Sequence, residues 1–143
     1  MLPRNGHHSS QLAKAEATLQ ELEVKLQQTR AVLEDRQRER QQMQATEQKV
    51  RDTGDINKLV KLQARAYAMD KAIQELKTRE ADAERQVEAA RRYLYTLYVK
   101  LERLRQEAAA FTVRAQAGPA PPPEEQANLR RLQLQIQAIT GAE

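Results

Sequence analysis

An apolar heptad runs without a break through Leu59, Leu62, Ala66, Met69, Ile73, Leu76, Glu80, Ala83, Val87, Ala90, Leu94, Leu97, Leu101, Leu104, Ala108 and Phe111, and only Glu80 is polar. The 3-4 spacing puts all of these residues on one narrow stripe of one long helix. Such a helix is not stable alone in water and must lie against other helices along most of its length.

The composition points the same way. Aromatic residues make up 3% of the 143-residue chain and Trp is missing, so there are few rings to fill a round core. Gln, Glu, Arg, Ala and Leu dominate, as in long helices and coiled coils. The lack of Cys excludes disulfides, thiolate metal sites and a Cys nucleophile. No apolar run approaches the roughly 18 residues of a membrane span. The leader MLPRNGHHSS has no hydrophobic segment of the secretory kind. The expectation is a cytoplasmic protein with no membrane contact.

A second heptad precedes the first: Leu12, Ala15, Leu19, Leu22, Leu26, Thr29, Leu33, Arg36, Arg40, Met43, Glu47 and Val50. Its later half is weaker. Arg36, Arg40 and Glu47 are expected to pack their stems there and keep their charges in water. Residues 1–8 read as a disordered leader carrying an incidental His7-His8 pair, and Ser9 or Ser10 as the N-cap of the first helix. Between the heptads stands Arg51-Asp52-Thr53-Gly54-Asp55. Gly54 suits the positive φ of a helix C′ position, and Asp55 or Thr53 suits the cap of the next helix.

If the two helices pair antiparallel across this turn, facing residues must have numbers with a constant total. Val50/Leu59, Leu33/Leu76, Thr29/Glu80, Leu22/Val87 and Leu12/Leu97 all total 109, so each stripe residue of the first helix finds a partner. Thr29 opposite Glu80 makes a polar layer that can fix register. Leu101, Leu104, Ala108 and Phe111 stay uncovered. After the stiff connector Gly118-Pro119-Ala120-Pro121-Pro122-Pro123, a third stripe of Leu129, Leu132, Ile136 and Ile139 matches them at a constant total of 240. Pro123 suits the first helical position, and Glu124 and Glu125 its positive end. The expected fold is all-α: a long antiparallel coiled-coil helical hairpin over residues 9–116 with its turn at 52–55, a Pro-rich linker at 117–123, and a short C-terminal helix at 124–140 folding back on the far end of helix 2. Its shape would be a rod two helices thick. So thin a seam makes self-association possible, and the seam could form within or between chains.

Function has weaker signals. Asp52, Gly54, Asp55 and Lys58 form the candidate hairpin tip, which a partner's groove could receive. Asp52 and Asp55 also serve a capped turn, which needs Asp and Gly in any case, and no metal or other cofactor is expected. Gly54-Asp55-Ile56 between two long helices resembles the tip of the Gre transcript-cleavage factors over about five residues, with Lys58 where that family carries a second acid. The resemblance implies contact with RNA polymerase, and Lys58 puts cleavage activity in doubt.

Tyr93, Tyr95 and Tyr98 are concentrated near the start of helix 1 and the end of helix 3, among Arg91, Arg92, Arg103 and Arg105. The rings either seal the joint between the two shorter helices or anchor a protein partner, since Tyr and Arg are typical anchors. A second, smoother face (Ala17, Val24 and Ala31, with Ala64, Ala68, Ala81 and Ala89 on helix 2) serves either self-association or helix propensity alone.

Net charge is +4, but residues 55–116 carry 13 bases against 9 acids while residues 10–52 balance at 8 and 8. Arg and Tyr together also suit phosphate and base stacking, although Glu88, Glu102 and Glu107 interrupt the basic run. No phosphate loop, metal-ligand His spacing or nucleophile elbow is present, so no enzyme is expected. The leading expectation is a non-catalytic structural or adaptor protein acting through protein contacts, similar in architecture to stalk proteins of rotary ATPases and type III export machines. The alternatives are a nucleic-acid- or RNA-polymerase-associated regulator and, lower, a helical chaperone.

Overall fold

The computed structural model describes residues 10–141. The expected leader, its His7-His8 pair and Ser9 lie outside the described residues. Three helices follow one another: α1 (Gln11–Thr53), α2 (Ile56–Ala117) and α3 (Pro123–Thr140). The fold is all-α, with the two long helices packed together and the short one against them. The linker expected at 117–123 begins inside the last turn of α2 and ends inside the first turn of α3.

The ends form as the sequence dictates. Ser10 caps α1, its Oγ accepting the Ala13 N–H at 2.9 Å. Asp55 caps α2, its Oδ1 accepting the Lys58 N–H at 3.1 Å. At α3, Pro122 takes the cap position in extended backbone, Pro123 needs no partner for an absent N–H, and Glu124 and Glu125 fill the first turn. Gly141 ends α3 at φ +77°, donating its N–H to the Gln137 carbonyl at 2.7 Å.

The packing divides the chain into two compact units, one of residues up to Gln20 together with those from Glu88 onward, the other Glu21–Val87. The second unit is a hairpin. Leu26 and Leu33 from α1 and Ala66, Ile73 and Val87 from α2 are its buried apolar residues. Cross-helix ion pairs reveal the register. Arg30 donates to Glu80 at 3.2 Å and to Glu84 at 3.1 Å, and Arg40 donates to Asp70 at 2.7 Å. Arg30–Glu80 and Arg40–Asp70 number totals are one residue off the 109 layers, as pairs flanking a seam should be.

Two stripe positions, Arg36 and Glu47, behave differently from expectation. Arg36 is exposed and pairs along its own helix with Glu39 at 3.0 Å, while Gln37 is half-buried in its place. A neutral amide is cheaper to desolvate than a guanidinium. Glu47 does not keep its charge wet: it is 8% exposed, and its Oε1 lies 3.7 Å from Arg40 Nη1 without a hydrogen bond. Thr29 and Glu80 are both half-buried, yet the Thr29 hydroxyl donates to the Lys25 carbonyl at 2.9 Å and Glu80 pairs with Arg30. That layer is polar on both sides, but the bonds run to other groups.

In the first unit α3 folds back on the later half of α2. Leu101, Leu104, Leu132 and Ile139 form a buried cluster, with Leu12, Phe111 and Ile136 packed against it. Ile139 and Leu101, whose numbers total 240, are both in that cluster, and Ile136, whose number totals 240 with Leu104, packs against it. Leu12 brings the start of α1 to the end of α3. Burying each of these aliphatic side chains contributes about 1.5–3 kcal/mol, which offsets the ordering of a helix too short to persist alone.

Candidate protein-contact surfaces

At the tip, Gly54 adopts φ +77° and donates its N–H to the carbonyls of Val50 and Arg51 at 3.2 and 3.1 Å. The Thr53 hydroxyl donates to the Val50 carbonyl at 2.7 Å. Asp52 accepts from Gln48 at 3.3 Å and Asp55 from the Lys58 N–H. Both carboxylates thus have local partners that belong to the turn. Asp52, Gly54, Asp55 and Lys58 are all exposed. Among the described residues no three His, Cys, Asp or Glu side chains gather as a metal site would require.

Sequence reasoning missed the apolar surface beside this turn. Ile56, Val60 and Tyr67 are exposed, and they follow one another along α2 at intervals of four and seven. That spacing keeps them on one face, away from the buried stripe. The signal was present in the sequence as large apolar residues just off the main heptad.

The three tyrosines of the first unit are all exposed, Tyr95 at 70%. They do not form one patch. At about 100° per residue, Tyr93 and Tyr98 fall on opposite flanks of the buried stripe and Tyr95 on its back. Tyr98 reaches α1, its hydroxyl donating to Glu16 Oε2 at 3.3 Å. The Glu16 charge, with desolvation and this hydrogen bond, raises the Tyr98 phenol above its ordinary 10.0. Tyr95 has Arg91, Arg92, Tyr98 and Val99 as its three- and four-residue neighbours, and these make a continuous surface. Val99 is exposed and was also missed. Tyr93 stands apart from it.

Unpaired arginines occur in both units: among the described residues Arg51, Arg65 and Arg79 of the second unit are exposed and hold no ion pair. Arg30, Arg36, Arg38, Arg40 and Arg85 hold ion pairs in the second unit. Among the described residues, Arg92, Arg103 and Arg105 of the first unit hold none, and all three are exposed. Arg114 stacks over the Phe111 ring, 4.6 Å from its centroid. An open groove runs beside it between α2 and α3, floored by Phe111, Leu129 and Ile136 and edged by Gln126, Gln133 and Gln137. No described helix is long and apolar enough to cross a membrane. Comparison with known protein families, with curated proteins and with solved structures finds no match to this chain.

Proposed function

We propose that this protein is a non-catalytic adaptor that works through protein–protein contacts at two places: the hairpin tip with Ile56 and Val60, and the Tyr95 surface with Arg91, Arg92, Tyr98 and Val99. One observation carries the reading. The exposed large apolar residues of α2 are ordered at helical spacing on faces away from the core, where a partner helix would cover them. Tyr and Arg beside them are the residue types that concentrate binding energy when desolvated.

The unpaired Arg92, Arg103 and Arg105 favour a second reading, a regulator that binds nucleic acid through phosphate contacts. Capture of partners from a lysate of the source cells, with and without nuclease, separates the two. A stoichiometric protein that survives nuclease and is lost with Tyr95→Ala or Val60→Glu supports the adaptor. Loss of all bound material on nuclease treatment, with a steep fall of binding in salt, overturns it in favour of nucleic acid.

A further inference from the structure

The back of α2 in the first unit carries a heptad of its own. Tyr95, Val99, Glu102, Gln106, Ala109 and Val113 follow one another at alternating intervals of four and three, and every one is exposed. Tyr95 is 70% and Val113 64% exposed. This stripe lies on the side of α2 opposite Leu97, Leu101 and Leu104, which α1 and α3 cover. Nothing within the described chain covers it.

The pattern of apolar and polar residues in the stripe is the same in both directions. Around a point at residue 104, Tyr95 mirrors Val113, Val99 mirrors Ala109 and Glu102 mirrors Gln106, each pair totalling 208. Two copies of α2 laid antiparallel would therefore stack these residues as facing layers. The outer layers are apolar, Tyr95 on Val113 and Val99 on Ala109; in the two central layers Gln106 and Glu102 already share a hydrogen bond along their own helix at 3.3 Å, which leaves the second amide N–H of Gln106 and the other Glu102 oxygen for the facing copy. One residue off those layers, Arg105 of each copy falls beside Glu102 of the other, and Arg105 has no ion pair of its own among the described residues. A two-fold axis requires this self-complementarity of a surface, and the chain supplies it.

We infer that a second copy of this chain docks antiparallel along the back of α2, joining two molecules through the Tyr95–Val113 stripe. This goes beyond the adaptor reading and does not need a foreign partner; because the contact covers Tyr95 and Val99, a second copy and a partner on that surface exclude one another. The pairing is weak by construction. The contact spans one helix face, at the low end of interface size, and like charges meet on both flanks, Arg103 facing its own copy on one and Arg105 on the other. The dimer therefore depends on concentration.

The test is sedimentation of the full chain over a range of concentrations, combined with cysteine pairing in a chain that has none of its own. Arg92→Cys and Gln116→Cys chains, mixed and oxidised, should form a disulfide between the two variants. Each variant alone should form none, because positions of equal number lie far apart in an antiparallel pair. Val99→Arg should weaken the dimer by about a hundredfold, since a symmetric contact counts the substitution twice. Helicity should be unchanged, because Val99 lies outside the core. A chain that stays monomeric at millimolar concentration overturns the inference. So does disulfide formation by either variant alone, which marks a parallel pair, or a dimer indifferent to Val99→Arg.

Discussion

Ile139 is the residue on which the docking of α3 most depends. It is 1% exposed and sits against Leu101, Leu104 and Leu132. Ile139→Ala removes three carbons, worth about 0.8 kcal/mol each by transfer, plus a cavity term. The site lies one residue from the end of α3, so the backbone can partly close over the gap. A loss of about 2–3 kcal/mol follows, toward the lower end for buried Ile→Ala changes. Leu134→Ala, on the same helix but 57% exposed, should shift stability by less than about 0.5 kcal/mol. The assay is denaturant unfolding followed by circular dichroism, with amide exchange read across residues 123–140. In Ile139→Ala, exchange should rise along all of α3, because an undocked helix of 18 residues is marginal in water. Equal effects from the two substitutions, or a larger one from Leu134→Ala, would show that α3 does not dock through the Leu132–Ile139 face.

Arg40→Leu leaves the buried Glu47 carboxylate without its neighbouring charge and should cost about 1–3 kcal/mol, reduced by the exposure of Asp70 at 56%. Adding Glu47→Leu should recover most of that loss in the same melts, since an apolar pair fits this seam. Gly54→Ala should destabilise by about 1 kcal/mol in thermal unfolding, because φ +77° strains any Cβ although the space around it is open. Tyr98 should titrate above 10.0 in an absorbance titration at alkaline pH, read as the difference from a Tyr98→Phe chain, and Glu16→Gln should bring it down toward that value. The fold favours the neutral phenol, so this contribution to stability is complete below pH 10.0 and is lost as pH rises toward the raised value.

The heptads and their constant totals made the pairing of helices legible, because apolar spacing and a short turn leave few ways to bury so long a stripe. Ser10, Asp55 and Pro123 were legible for the same reason: each answers a backbone need at a helix end. Where several side chains satisfy one position, the sequence was ambiguous. Arg36 and Gln37 both border the stripe, and the cost of desolvating a guanidinium decided between them. Glu47 went inside because Arg40 sits one heptad away on the same seam, a compensation visible only once Asp70 fixed the Arg40 fork. The division at Gln20/Glu21 and Val87/Glu88 has no mark in the sequence, since both long helices run through it. The candidate surface was half legible. Tyr95 and its arginines stood out by type, but Val99 and Val113 became visible only as exposed members of a stripe, because apolar residues off the main heptad look like any other helix former.

The register of the helices within a single chain is the central claim, and cysteine pairs test it most directly. Thr29→Cys/Glu80→Cys places two thiols in one layer of the second unit, and Phe111→Cys/Leu129→Cys does the same between α2 and α3. Mild oxidation at low concentration, read by mass spectrometry after digestion, should give intrachain disulfides in both variants and leave both monomeric. Disulfides that join two chains, or none in either pair, would contradict the account.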